Sequence, residues 1–163
     1  MSTPTVRPAC RGEEARVKQI AVDSGLFDED DVDAFDEMLG GYFDGSLKGH
    51  QWLVAELDER IVGGAYIAPE PFGDRVWNLY FLAAAPEAQG EGVGTALLQH
   101  VEARLREMGP PHARVLIIET SSIETYSRTR AFYRSHGFVE ESRIREFYGT
   151  GDDKVTFWKS LTA

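Results

Sequence analysis

The segment Ala85-Pro86-Glu87-Ala88-Gln89-Gly90-Glu91-Gly92-Val93-Gly94-Thr95 places three glycines between an apolar run and an amphipathic pattern. It reads as a loop joining a strand to a helix. Glycines let a backbone approach a ligand closely, and a helix start offers unpaired N–H donors. Together they suit a phosphate group and need no basic side chain. Two nucleotide loops are excluded. A Walker loop ends in Gly-Lys-Ser/Thr, whereas Gly94 is followed by Thr95 and Ala96. The Gly-x-Gly-x-x-Gly dinucleotide loop fails from Gly90, where the last position is Thr95, and from Gly92, where it is Leu97. The same residues would also serve as a surface turn ahead of a core helix.

Other chemistry is sparse. His50, His100, His112 and His136 show no paired metal-ligand spacing, so no metal is expected. Cys10 is the only cysteine, which excludes an intrachain disulfide and a cysteine-cluster metal site. The net charge is −10, and −9 of it falls in residues 1–75. A nucleic-acid binder would need a basic face. The acidic half is either a solvated face or a field that attracts a cationic partner. Apolar runs such as Val115 to Ile118 are far too short to span a membrane, and the N-terminus has no apolar stretch of signal-peptide length. The expectation is a cytoplasmic chain. Its 163 residues carry no repeat, low-complexity tract or linker, so residues 1–163 are expected to form one domain.

Positioning the loop requires the elements around it. Thr3 to Arg7 reads as a strand that Pro8 ends or places at an edge. Val17, Ile20, Ala21 and Ser24 recur at helical spacing, followed by a second helical set in Val32, Phe35, Leu39, Tyr42 and Phe43. The other faces of that second helix carry Asp30, Asp31, Asp33, Asp36 and Glu37. Gln51–Leu57 and Arg60–Ile67 form a hairpin about Asp58-Glu59, and Val76–Ala84 is a third strand. Gly92–Met108 is a helix stopped by Gly109-Pro110-Pro111. Val115–Ile118 is a short buried strand, and Tyr126–His136 a helix ended by Gly137. Val139–Tyr148 and Val155–Leu161 close with a hairpin around Gly149–Asp152. This order predicts a mixed α/β sheet with helices on its faces.

Two segments now carry a resemblance. Gln89-x-x-Gly92-x-Gly94, preceded by Pro86 and followed by a helix, resembles the acetyl-CoA pyrophosphate loop of the GNAT acyltransferase superfamily. Ala131-Phe132-Tyr133-Arg134-Ser135-His136-Gly137-Phe138 resembles that family's later motif of an aromatic pair, three residues and Gly-Phe. The resemblance extends over nearly the whole chain in element order. It implies a largely antiparallel central sheet with helices on both faces and a splayed acetyl-CoA cleft. Carried over by position, it implies that pantetheine lies against the backbone of Leu82, Ala83 and Ala84. The pyrophosphate would fall on Gln89, Gly90, Glu91, Gly92, Val93, Gly94 and Thr95. Tyr133 matches the tyrosine that protonates the departing CoA thiolate. Relatives often carry a glutamate on the strand before the glycine loop, but Val76-Trp77-Asn78-Leu79-Tyr80-Phe81 has none. Glu119 is the substitute for the base, with an ordered water chain as the alternative. Tyr126 stands where the family often has Asn, seven residues before Tyr133, and is expected on the same helix face at the cofactor. Arg128, Arg130 and Arg134 either reach CoA phosphates or are solvated.

The resemblance therefore implies an acetyl-CoA-dependent N-acetyltransferase that moves an acetyl group directly to an amine acceptor, a small molecule or a peptide. The alternative is a non-catalytic acyl-CoA-binding regulatory module. An exposed sheet edge could also pair a second copy into a homodimer.

Overall fold

Asp58 and Glu59 both take left-handed backbone angles, with φ of 51° and 64°. This is the two-residue turn whose twist matches antiparallel strands, and it joins β2 (Gln51–Leu57) to β3 (Arg60–Pro69). The hairpin belongs to a computed structural model that describes residues 2–25 and 32–162. The element order is β1 (Thr5–Pro8), α1 (Glu14–Asp23), α2 (Val32–Asp44), β2, β3, β4 (Val76–Ala84), α3 (Val93–Met108), β5 (Val115–Ser121), α4 (Ser127–Ser135), β6 (Val139–Gly149) and β7 (Asp152–Ser160). The seven strands follow the order β1-β2-β3-β4-β5-β7-β6. The described pairings are antiparallel except β4 with β5, the pair joined through α3, as a strand–helix–strand connection requires. This is the mixed α/β class expected.

The chain divides into two compact units. The first comprises the described residues of 1–68 together with 81–104. There β1 pairs with β2 from Thr5↔Glu56 to Pro8↔Leu53. Val17, Ile20 and Ala21 of α1 and Phe35 and Leu39 of α2 are buried, as their helical spacing predicts. Phe35 packs edge-on against Trp52, with ring centroids 5.1 Å apart, and against Phe81 at 5.7 Å. Asp33, Asp36 and Glu37 are exposed, while Asp30 and Asp31 lie outside the described residues. Strand β3 is buried from Val62 to Ala68, which accounts for its unbroken apolar run.

Arg7 ties β1 to its surroundings. Its guanidinium donates to both carboxylate oxygens of Glu13, at 2.9 and 2.6 Å, and through Nε to Glu56 at 2.8 Å. Glu13 also accepts the Cys10 N–H at 2.6 Å, closing the turn into α1. The Arg7 hydrogen bonds hold the Glu13 carboxyl below its ordinary value.

The second unit comprises residues 69–80 and 105–162. Val76–Leu79 of β4 pair in parallel with Val115–Ile118 of β5. β5 in turn pairs with β7 from Val115↔Ser160 to Ser121↔Lys154, and β7 carries β6. β5 is three residues longer than its apolar run predicts, because Glu119, Thr120 and Ser121 continue the ladder to Thr156, Val155 and Lys154. α4 ends at Gly137, whose φ is +88°, and Lys159 donates to the His136 carbonyl at 2.7 Å.

Gly63 in the first unit is set by packing. A Cβ there would lie 2.5 Å from Val93 Cγ1, 3.0 Å from the Ala83 carbonyl oxygen and 3.1 Å from Leu97 Cδ1. The first turn of α3 therefore seats directly on the β3 backbone. Gly63→Ala is expected to destabilise the protein by about 1–3 kcal/mol through overpacking, read as a lowered urea midpoint. An unchanged midpoint would show that α3 can shift freely. Glu13→Gln is expected to cost about 1 kcal/mol at pH 7, after allowing for solvent screening. A lowered folded-state value means stability that is present above the unfolded value and lost as acid is added. The gap between wild type and Glu13→Gln should therefore close as the pH falls below the ordinary glutamate value of 4.5.

Candidate active site

In the first unit β4 leads into the glycine loop. Ala83 and Ala85 are buried, while Leu82 and Ala84 alternate to the half-exposed side. The Ala85 N–H donates to the Val62 carbonyl at 2.7 Å, anchoring the strand end. A single 3₁₀ turn, Pro86–Ala88, follows. Gly90 and Gly92 have φ of +83° and +81° with open space at both Cβ positions, so backbone angle rather than packing selects glycine there. The first helical bond of α3 runs from the Ala96 N–H to the Gly92 carbonyl at 3.0 Å. Val93, Gly94 and Thr95 precede it, in the first turn of the helix, where N–H groups point away from the helix body. No acidic residue lies in that turn. Gln89, Gly90, Glu91 and Gly92 are exposed, and Glu87 is paired with Arg16 at 2.7 Å. The loop thus presents backbone donors at a positive helix end, an arrangement that holds an anion.

In the second unit a polar cluster surrounds Asn78, which is fully buried on β4. Its Nδ2 donates to Glu119 Oε1 at 3.1 Å and to Glu70 Oε1 at 2.7 Å. Glu119 Oε2 is paired with Lys154 at 3.1 Å. The Lys154 ammonium also sits 4.1 Å from the centre of the Phe147 ring. The Tyr80 hydroxyl donates to Glu70 at 2.9 Å. Burial, followed by the Glu70 hydrogen bond and the charges of Glu70 and Glu119, pushes the Tyr80 phenol up. Tyr148 is pushed up to about 12 by burial, with the charges of Glu119, Asp152 and Tyr126 adding to it. Glu119 is thus brought into a charged and aromatic cluster.

Tyr133 is buried on α4, with ring centroids 5.5 Å from Phe132, 6.1 Å from Phe138 and 5.7 Å from Phe157. Burial raises its phenol well above the ordinary value of 10.0, so it holds its proton across the neutral range. Tyr126 closes a 3₁₀ turn, Glu124–Tyr126, and stands as the residue immediately before α4, with φ −99° and ψ 12°. Arg130 donates to the Ser121 and Ile123 carbonyls at 2.8 and 2.9 Å, and Arg134 pairs with Glu140 at 3.2 Å. Both arginines serve the local fold, and Arg128 is exposed.

Sequence reasoning missed Glu70, Asn78 and Lys154 as candidate site residues. Glu70 sits in a connection marked by prolines and glycine, and Lys154 lies ahead of the apolar run that signals β7. Only the parallel β4–β5 register and the β5–β7 ladder bring them to Glu119. Alternation along β4 places Asn78 and Tyr80 on one face, and a buried Asn between apolar neighbours was the available signal.

The sequence profile of the acetyltransferase (GNAT) domain matches residues 48–140, more than half of the chain. An uncharacterized N-acetyltransferase of Methanocaldococcus jannaschii is 29% identical over 117 residues, covering 70% of this chain and 69% of that protein. A solved structure from Desulfovibrio desulfuricans, described as a GNAT-family acetyltransferase, aligns with a TM-score of 0.88 at 30% identity over 98% of this chain and 99% of its own. YncA of Salmonella typhimurium, solved with its cofactor acetyl-CoA, shares the fold at a TM-score of 0.75 and 20% identity, covering 98% and 94% of the two chains. The matched profile takes in the glycine loop, Glu119 and Tyr133. The chain therefore belongs to the GNAT family and is an acetyl-CoA-dependent N-acetyltransferase.

Proposed function

We propose that the enzyme transfers the acetyl group directly to an amine that is cationic in water, with Tyr133 as the proton donor to the CoA thiolate. The observation that carries this reading is the burial of Tyr133, which keeps the phenol protonated beside three aromatic rings. A departing thiolate needs such a donor. The incoming amine has the opposite need. A lysine-like ammonium sits about 3.4 pKa units above pH 7, so presenting the free amine costs roughly 4.6 kcal/mol. Glu119 and its neighbours supply the carboxylates for that step, and their charge favours a cationic acceptor. Backbone N–H groups of Gly90, Gly92, Val93 and Gly94, with Thr95 beside them, take the pyrophosphate, while the Gln89 and Glu91 N–H groups donate to the Pro86 and Ala88 carbonyls at 3.4 and 3.3 Å and shape the loop around it. Leu82, Ala83 and Ala84, past the β4–β5 ladder, take pantetheine. Tyr126 borders the cofactor from the turn before α4.

Tyr133→Phe is expected to lower kcat by about 10²–10³-fold while acetyl-CoA affinity stays within about twofold. Thiol release in the presence of an amine measures the first and calorimetry the second. An unchanged kcat would remove Tyr133 from the chemistry. Gly92→Val forces a branched side chain into a left-handed backbone angle, a strain of about 1–3 kcal/mol. It is expected to weaken acetyl-CoA binding roughly tenfold or more. Wild-type affinity in that variant would sink the backbone phosphate site.

A further inference from the structure

Glu119 is the carboxylate the sequence points to, yet both of its oxygens are engaged within its own cluster. Oε1 accepts from Asn78, and Oε2 is paired with Lys154, whose ammonium is held on its other side by Phe147. Glu70 differs. It comes from the connection between β3 and β4, where its N–H is fixed to the Val76 carbonyl at 2.8 Å. Its Oε1 accepts both neutral donors, Asn78 at 2.7 Å and Tyr80 at 2.9 Å. Its Oε2 has no hydrogen-bond or ion-pair partner among the described residues. Glu70 is half-buried and Tyr80 is exposed, so this side of the cluster reaches solvent while Asn78 does not. The strand before the glycine loop lacks a carboxylate of its own, and the two donors from that strand clamp one onto it.

We propose that Glu70, rather than Glu119, takes the proton from the acceptor amine, with Asn78 and Tyr80 as its positioning residues and Glu119–Lys154 as a charge-compensated pair behind them. The proposal rests on the direct-transfer reading above. One ammonium proton passes to Glu70. The freed nitrogen lone pair forms the C–N bond at the thioester carbonyl, and the C–S bond breaks. The thiolate takes the Tyr133 proton. The second nitrogen proton leaves to solvent, Tyr133 is reprotonated from solvent, and Glu70 releases its proton, so one proton is produced per amide. The titratable and charged groups around the cluster are Tyr80 from β4, Glu119 from β5, Tyr126 from the turn before α4, Tyr148 from β6, and Asp152 and Lys154 from β7.

The test uses the full chain with acetyl-CoA and, in turn, spermidine, glucosamine, lysine and a peptide with a free α-amine. Glu70→Gln is expected to lower kcat about 100-fold or more with the amine that wild type uses best. Acetyl-CoA affinity and thermal midpoint should stay near wild type, and the acidic limb of the kcat/KM profile should flatten. Glu70→Ala should recover activity with added formate. Should Glu70→Gln fold poorly, Glu70→Asp withdraws the carboxylate by one methylene and should still cut kcat tenfold or more. Near-wild-type turnover in a folded Glu70 variant, with the acidic limb retained, would overturn the proposal alone. Absence of thiol release by wild type with every amine would instead overturn the direct-transfer reading beneath it.

Discussion

A chain with a net charge of −10 has to hold a cofactor that carries phosphates of its own. Most of that charge lies in the half of the sequence that precedes the glycine loop, and side chains in the loop offer no cation. On the proposed placement of the pyrophosphate, backbone takes the place of basic side chains. Two left-handed glycines turn the chain, a helix start supplies donors, and the first turn of α3 carries no carboxylate. The acidic neighbour Glu87 is neutralised by Arg16. Because the donors belong to the backbone, their aim depends on where α3 begins. That position is set by the bare backbone of Gly63 under Val93 and by the bond from Ala85 to Val62. On that proposal, packing of the first unit and affinity for the cofactor are the same constraint seen from two sides.

Much of this was legible in the sequence because it is written in local pattern. The limits of β4, Val76 and Ala84, follow from an aromatic run ending at small residues. The β2–β3 hairpin follows from a polar pair between apolar stretches, and the glycine loop from its spacing alone. Tyr133 and Glu119 stood out only against the family motif. The misses share a physical cause. Glu119 through Ser121 extend β5 by pairing with β7, and polar strand residues have no periodic signature of their own. The helix expected from Tyr126 begins one residue later, because Tyr126 ends a 3₁₀ turn that leads directly into α4. The contact between Asn78 and Glu119 spans 41 positions and exists only through parallel register. Pairing between distant strands is invisible to a window of neighbouring residues.

Asn78 shows what such a cluster costs. Its Oδ1 is buried without a hydrogen-bond partner among the described residues, a penalty of about 1–3 kcal/mol. An apolar side chain at that position would remove this penalty but would also take the donor from Glu70 and Glu119. An amide is the group that can donate to two carboxylates while adding no charge, and a third carboxylate there would repel both. The polar residue is thus explained by what it holds apart and in place rather than by stability, the usual signature of a local rule broken for function.

Strand β6 is exposed along its whole length, and with β1 it forms one of the two ends of the strand order. Its register with β7 slips between Glu140 and Ser142 and again between Ile144 and Gly149, and Glu146 takes a φ of 54°. Charged residues stud it: Glu140, Glu141, Arg143, Arg145 and Glu146. At the other end β1 is four residues long and closes on Pro8. Bulges, charges, brevity and proline are the features that keep an open edge from recruiting another strand. Both margins therefore resist edge-to-edge aggregation at high concentration. Each open edge thus carries features that disfavour extension of the ladder by another strand.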